Sequence, residues 1–429
     1  MLYVLVCAFN KNMYFCGLMY QLRLHLNYIC ALGMVAISMV ACHQEDEPPR
    51  PPIYGAPGDT LMQTVIFYMA AENSLSRYSL EDSLEIIEAI DSIPESARVV
   101  MFLDNVRSSR ISVGRRNESM HVVKTFEENV SSTDSAQMDA ILHWIVETYP
   151  SRHYGLVLWS HASGWRFYSP EAKAVQRRSF GKESGNRTAT DDGSEMNIPT
   201  LARILEGLPH FDFIIADACF MQSIEVAYEL RRVADYIISS PAEIPGTGAP
   251  YQNVLVPMCS VPADVEKVVM DYVDYYVNGR GHWSFAGAEI SMICTDFLEQ
   301  LAEATYPLIQ QLFGLRSIPD CSFVQYYANP VRWGSFTECY DMKNLMYKNL
   351  SESDYTTWLK AYEKAVPLVA LTPRWTTGYS MRSMEMNDIE HCGGVSMFVP
   401  NESYESRGWT DNYRTLEWAK AVGFDQTGW

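Results

Sequence analysis

Tyr154-Gly155-Leu156-Val157-Leu158-Trp159-Ser160 runs directly into His161, and Phe211-Asp212-Phe213-Ile214-Ile215-Ala216-Asp217-Ala218 runs directly into Cys219. Each is an apolar run that stops abruptly on a reactive side chain, and the stretch between them, residues 198–208, has helical spacing. Apolar runs separated by a helix predict buried parallel strands of an α/β sheet. In such a sheet ligands bind outside the carboxyl ends of the strands, where His161 and Cys219 both fall. Neighbouring strands lie about 5 Å apart, so an imidazole on one can reach a thiol on the next. A cysteine nucleophile beside a histidine base predicts a hydrolase, and specifically a peptidase.

Outward from these strands the alternation continues. Residues 64–69, 97–104 and 120–126 read as strands, 80–90 and 134–149 as helices, and the charged stretch 107–118 as a hairpin. After Cys219, residues 223–234 read as a helix and 236–240 as a strand. The expected fold class is therefore α/β, a three-layer sandwich with a mostly parallel central sheet over residues 61–258. Residues 259–429 read as a helix-rich α+β extension packed on that catalytic domain, with helices at 264–276, 297–313 and 354–366 and strands at 286–294 and 394–399.

The N-terminus predicts a targeting segment. Residues 26–41 are apolar, follow Arg23 and end in Met39-Val40-Ala41-Cys42, so residues 1–41 read as a lipoprotein signal peptide and Cys42 as the lipidated first residue of the mature chain. An uncleaved signal anchor is the alternative, and translation starting at Met13 or Met19 would shorten the leader. Residues 42–60 form an acidic, Pro-rich tether that cannot pack a core. No second stretch is long and apolar enough to span a bilayer.

With 48% hydrophobic residues, the 429-residue chain has enough apolar content for a sizeable core. Its formal charge is −19, and loss of a leader carrying Lys11 and Arg23 but no acid would take it to −21. That balance argues against nucleic acid and anionic membrane surfaces as partners and is compatible with cationic peptides, though solubility explains it equally well. The cysteines show no CxxC and no metal-finger spacing, so no required disulfide is expected; Cys259, Cys294 and Cys392 read as small buried hydrophobes.

Alone, His161 or Cys219 would read as an ordinary structural residue; together, at the ends of two such strands, they read as a pair. The helix expected after Cys219 would put the thiol near a positive helix terminus, favouring the thiolate. Asp217 stands two residues before Cys219 and shares its face if the strand continues. A carboxylate there could pair with a guanidinium or ammonium, or could simply be a solvated or capping residue. The segment Thr190-Asp191-Asp192-Gly193-Ser194-Glu195 offers oxygens but reads as an ordinary polar loop, so no metal or other cofactor is expected.

The strand ending in His161-Ala162-Ser163-Gly164-Trp165 and the strand ending in Asp217-Ala218-Cys219-Phe220-Met221, with Glu225-Val226-Ala227-Tyr228-Glu229-Leu230 and Ser240-Pro241-Ala242-Glu243-Ile244-Pro245-Gly246, resemble the clostripain family of cysteine peptidases. The family's fold is similar to that of caspases, gingipains and legumain, and the resemblance runs over residues 61–429, with Leu416-Glu417-Trp418-Ala419 a weaker match. The acidic residues after Cys42 resemble those of Bacteroidetes surface lipoproteins. The resemblance implies a catalytic dyad of His161 and Cys219, with backbone N–H groups of Ala162 and Cys219 forming the oxyanion hole. Where the family has His-Gly this chain has His161-Ala162, and a backbone donor survives there if the position does not demand positive φ. It also implies that Asp217 reads Arg or Lys at P1 and that Glu243 lines the S1 wall; Thr247 stands where some relatives carry an acid. The founding member is calcium-activated, which makes calcium the one cofactor the resemblance raises. Relatives mature by a cut after a basic residue in the loop joining the two strands. Here that loop, residues 165–197, carries Arg166, Lys173, Arg177, Arg178, Lys182 and Arg187, and self-cleavage is expected after Arg177 or Arg178. The expected protein is thus a monomeric, lipid-anchored outer-membrane or cell-surface endopeptidase whose partners are peptide or protein substrates, touching membrane only through its anchor. The rival is a catalytically silent surface lipoprotein that binds peptides or glycans on the same scaffold.

Overall fold

The computed structural model describes residues 60–166, 179–278, 287–328, 339–377 and 382–429. The leader, Cys42, the tether up to residue 59, and Arg177 and Arg178 lie outside the described residues.

In chain order the elements are β1 (Leu61–Ala71), α1 (Ser76–Ala89), β2 (Ala97–Asn105), β3 (Ser109–Arg115), β4 (Glu118–Phe126), α2 (Ser135–Thr148), β5 (Ser151–Trp159), β6 (Phe180–Glu183) and β7 (Ser194–Met196). There follow α3 (Ile198–Glu206), β8 (Phe211–Asp217), α4 (Ile224–Glu229), β9 (Ala234–Ser239), α5 (Tyr251–Cys259), α6 (Val265–Val277), β10 (Glu289–Cys294) and α7 (Leu298–Phe313). The remainder comprises β11 (Tyr340–Asp341), α8 (Met342–Asn349), α9 (Glu352–Ala365), β12 (Leu368–Leu371), β13 (Arg374–Thr377), β14 (Arg382–Glu385), β15 (Ser396–Met397) and short helices α10 (Glu402–Glu405), α11 (Trp409–Thr415) and α12 (Glu417–Ala421).

A nine-stranded sheet in the order β12-β10-β9-β8-β5-β1-β2-β3-β4 organises the molecule. Its five central strands are parallel, and antiparallel strands close both edges. Successive side chains of a strand point to opposite faces. Ile66, Tyr68, Leu156, Leu158 and Ile214 therefore pack with α2 and α3 on one side, through residues such as Met138, Leu142 and Leu201. Val65, Phe67, Val157, Phe213 and Ile215 pack on the other, against Ile86 of α1, Val254 and Leu255 of α5 and Val269 and Tyr272 of α6. A sheet covered on both faces has no polar side, which is why β5 and β8 read as unbroken apolar runs. The three-layer α/β sandwich is as expected.

The boundary expected at residue 258 falls inside this architecture. β10 and β12 are strands of the same sheet and α6 covers it alongside α5, so much of residues 259–429 builds the sandwich itself. The reason is physical: Ile290, Met292 and Ile293 are apolar and buried, and β9 would otherwise present an open edge. Cys259, Cys294 and Cys392 are buried free thiols. Among the described residues no helix is long and apolar enough to cross a membrane.

Candidate active site

β5 and β8 pair in parallel with Trp159 opposite Asp217. His161 and Cys219 each lie two residues beyond these last partners, both half-buried at the carboxyl edge of the sheet. The chain leaving β8 is pinned beside the chain leaving β9: Phe220 N–H donates to Ala242 O (3.0 Å) and Gln222 N–H to Ser240 O (3.0 Å). This brings the Ile244 N–H onto Cys219 Sγ at 3.4 Å, with Glu243, half-buried, immediately before it. The helix expected to begin at residue 223 does have Ser223 as its N-cap, but it is short (Ile224–Glu229) and starts beyond the thiol's own turn. A donor facing the sulfur is the Ile244 amide.

The backbone after β5 is equally constrained. Gly164 has φ +76°, and a Cβ there would meet Phe220 O at 2.9 Å, so only glycine lets the histidine loop lie against the cysteine loop. Ala162 is not among the positive-φ residues. It forms an antiparallel bridge with Phe180 in which Gly181 N–H donates to His161 O and Ser163 N–H to Ser179 O. In that pattern Ala162 belongs to the non-hydrogen-bonded pair, and its own N–H is not spent on the neighbouring strand. The change from His-Gly to His-Ala is thus accommodated.

Two contacts of His161 were not foreseen. Its Nε2 lies 2.9 Å from Ser74 Oγ and 3.3 Å from Asp191 Oδ1. Ser74 follows β1, whose carboxyl end lies beside that of β5 (Met69 opposite Trp159), so the rule that found His161 and Cys219 would also have found Ser74. Nothing in the 190–195 stretch flagged Asp191. The loop that carries it, read as unstructured, contains the β6–β7 hairpin, in which Phe180 is fully buried.

Asp217 is 4% exposed. Its oxygens accept from the Ala249 N–H (3.0 and 3.1 Å), the Tyr251 hydroxyl (2.6 Å) and the Tyr272 hydroxyl (3.3 Å). Gly248, at φ +52°, leaves the room this needs, since a Cβ there would stand 2.4 Å from Asp217 Oδ2. Burial pushes the Asp217 carboxyl up, and these donors pull the other way. Asp82, held by Trp159 Nε1 at 2.7 Å, is also pushed up, by burial and then by the charge of Asp217. Thr247 sits on this wall, 3.1 Å from the Tyr276 hydroxyl.

One group of carboxylates among the described residues could hold a cation: Glu72, Asp104 and Glu183, buried with ligand atoms within 4.8 Å of one another. Arg187 already enters this group, its Nη1 lying 3.1 Å from Asp104 Oδ1 and 3.7 Å from Glu72 Oε2. The same arginine donates to Asn105 O (2.7 Å) and Ser109 Oγ (2.8 Å), and its N–H donates to Glu72 Oε1 (2.7 Å).

The chain matches the clostripain family over residues 67–429. Among solved structures it is similar to a secreted C11 cysteine protease from Bacteroides thetaiotaomicron in complex with an irreversible peptide inhibitor (29% identity, TM-score 0.72, 85% of this chain and 99% of that one). It is also similar to an inactive zymogen C11 protease from Parabacteroides distasonis (28% identity, TM-score 0.70, again 85% and 99%). A B. fragilis cysteine protease matches at 32% identity and TM-score 0.51, over 56% of this chain and 98% of its own. No curated protein matches. With a family match across most of its length and similarity to solved C11 cysteine proteases over nearly all of their chains, this chain belongs to the clostripain family and is a cysteine peptidase.

Proposed function

We propose that the chain is an endopeptidase that cuts after Arg or Lys through an acyl-enzyme on Cys219. The observation that supports this reading is the parallel pairing of β5 and β8, since His161 and Cys219 each stand two residues past the last paired residues, Trp159 and Asp217. The thiolate attacks the scissile carbonyl carbon, and the resulting oxyanion takes N–H donors from Ala162 and Cys219. His161, as imidazolium, gives its proton to the leaving amine as the C–N bond breaks and a thioester remains. His161 then takes a proton from water, which attacks the thioester, releases the acid product and restores the thiolate. The basic P1 preference rests on Asp217, which has only neutral donors around it, with Glu243 on the neighbouring wall. No step needs a metal or other cofactor, and Arg187 supplies positive charge to the buried carboxylates without calcium.

Self-processing after Arg177 or Arg178 is part of the same reading. Of the six basic residues in the 165–197 loop, Arg166 is buried with its guanidinium over Trp409, Lys182 sits in β6 and Arg187 is inserted among carboxylates. That leaves Lys173, Arg177 and Arg178 as candidates for a protease, and a related protein has been captured as an inactive zymogen. Export and anchoring through Cys42 at the outer membrane or cell surface, and a monomeric state, complete the proposal; one relative is described as secreted.

A fluorogenic peptide panel varying P1, read with wild type, Cys219→Ala and His161→Ala, tests it. Arg and Lys substrates should turn over in wild type, and neither variant should do so detectably, because members of one catalytic unit are not additive. The Cys219→Ala chain should also stay uncut. Full turnover in either variant would overturn the mechanism, and indifference to P1 charge would overturn the specificity.

A further inference from the structure

We infer that Asp191, acting with Ser74, is a positioning residue for His161, so that this peptidase works with a four-part relay instead of a bare dyad. The inference rests on the dyad proposed above and adds to it.

The hydrogen bonds leave little choice of proton positions. Ser74 Oγ lies 2.9 Å from His161 Nε2 and 2.8 Å from Asp191 Oδ2, and the Ser74 backbone N–H donates to Asp191 Oδ1 at 3.0 Å. A serine hydroxyl has one proton to give and two lone pairs. The carboxylate can only accept, so the Ser74 hydroxyl donates to Asp191 and is left to accept from His161. Nε2 must then carry a hydrogen, and Nδ1 becomes the basic nitrogen that exchanges a proton with Cys219 Sγ. Asp191 Oδ1, 3.3 Å from Nε2, also stands ready to balance the imidazolium when it forms. Burial raises the Asp191 carboxyl, but the hydrogen bond and charge of His161 and the bonds from Ser74 outweigh this and hold it well below the usual carboxylate range. The group is therefore charged throughout any working pH.

The loop is built to deliver this carboxylate. Ser184 N–H donates to Glu72 O at 2.8 Å and Ser184 Oγ to Glu72 Oε1 at 2.7 Å, and Arg187 is threaded among Glu72, Asp104, Asn105 and Ser109. Glu72 directly follows β1 on the way to Ser74, so the anchor points of the loop and the serine that receives Asp191 share one short stretch of backbone. A histidine oriented by a third group has a defined tautomer before substrate arrives, which is what an imidazole needs to act as base and then acid.

The test uses the processed enzyme with an Arg or Lys substrate, comparing wild type with Asp191→Ala, Asp191→Asn and Ser74→Ala. Loss of the carboxylate should lower kcat roughly 10- to 100-fold with little change in KM. Asp191→Asn keeps the shape and should lose nearly as much as Asp191→Ala, whereas Ser74→Ala should lose less. A rise in KM that matches the fall in kcat in the well-folded Asn variant would reduce Asp191 to a structural role and overturn the inference. Wild-type activity in both Asp191 variants would overturn it too, as would increased activity, which would make the contact a brake. Turnover by Cys219→Ala would instead remove the dyad on which the inference stands, so the two failures are distinguishable.

Discussion

Two carboxylates lie buried at the carboxyl edge of the same sheet, and they are treated differently. Asp104, near the end of β2, is fully buried and accepts from Ser109 Oγ at 2.7 Å and Arg187 Nη1 at 3.1 Å. Asp217, at the end of β8, accepts from one backbone N–H and two tyrosine hydroxyls, and no cation of the chain pairs with it among the described residues. Burial raises both; Asp104, with Glu183 and Glu72 adding repulsion and Ser109 and Arg187 opposing, reaches about 7. The difference is one of completeness. The Asp104 site contains its own counter-ion, whereas the Asp217 site has neutral donors and a charge still to be matched. That contrast supports the proposal that Asp217 reads a cationic side chain, and it makes Asp104 part of the scaffold.

The largest expected effect comes from emptying the completed site. Arg187→Met keeps much of the stem but strips the guanidinium from Glu72 and Asp104, and breaking a buried charge pair on one side costs about 3–5 kcal/mol. Urea unfolding should report that loss. An unchanged midpoint would mean that Arg187 is not the group balancing these acids, and the contrast with Asp217 would collapse. Next is Asp217→Asn, which keeps the shape and deletes the charge. A charge-assisted bond contributes about 1.5–3 kcal/mol, or roughly 10- to 150-fold in kcat/KM for Arg and Lys substrates. A neutral-P1 substrate should suffer much less. Equal losses would show that Asp217 holds the Gly248–Tyr251 backbone instead of reading P1.

The smallest effect is on the pH dependence of stability. The folded state binds a proton on Asp104 more tightly than the unfolded chain does, so the protein carries more protons folded than unfolded between the ordinary value of 3.8 and about 7. Stability from this group therefore falls as pH rises through that window and levels off above it, with a slope of about 1.4 kcal/mol per unit at most. Comparing melts at pH 5.5 and 7.5, Asp104→Asn should show a flatter dependence than wild type. An identical slope in both would mean that Arg187 keeps Asp104 charged throughout.

What was legible in the chain follows from which signals are local. β5 and β8 announced themselves because burial on both faces leaves no polar alternation to confuse the reading, and His161 and Cys219 were visible as the points where those runs stop. Helix α1 begins at Ser76, a full turn earlier than its apolar spacing suggests, because Ser76 and Ser79 are buried polar residues of the first turn. Helix α5 was hidden by Pro257 in its last turns, and β12, at four residues, is too short to carry a period. The β6–β7 hairpin has the same difficulty, with Phe180 the principal buried apolar anchor of β6. Ser74 lay within reach of the strand-end rule, just past β1, but Asp191 did not: it meets Ser74 across 117 residues, and no pattern in its neighbourhood records the closure.

The order of these parts along the chain has a consequence for inheritance. His161 and Ser74 precede residues 167–178, whereas Asp191 and Cys219 follow them. Any scission in that interval divides the catalytic equipment between two polypeptides, the nucleophile travelling with the carboxylate and the imidazole with the hydroxyl. β5 from one piece and β8 from the other remain adjacent in the sheet, with Leu156 opposite Ile214 and Leu158 opposite Ala216. A nicked molecule is then an obligate partnership. Its activity counts paired halves, is extinguished by whatever separates them, and cannot be carried away by either half alone.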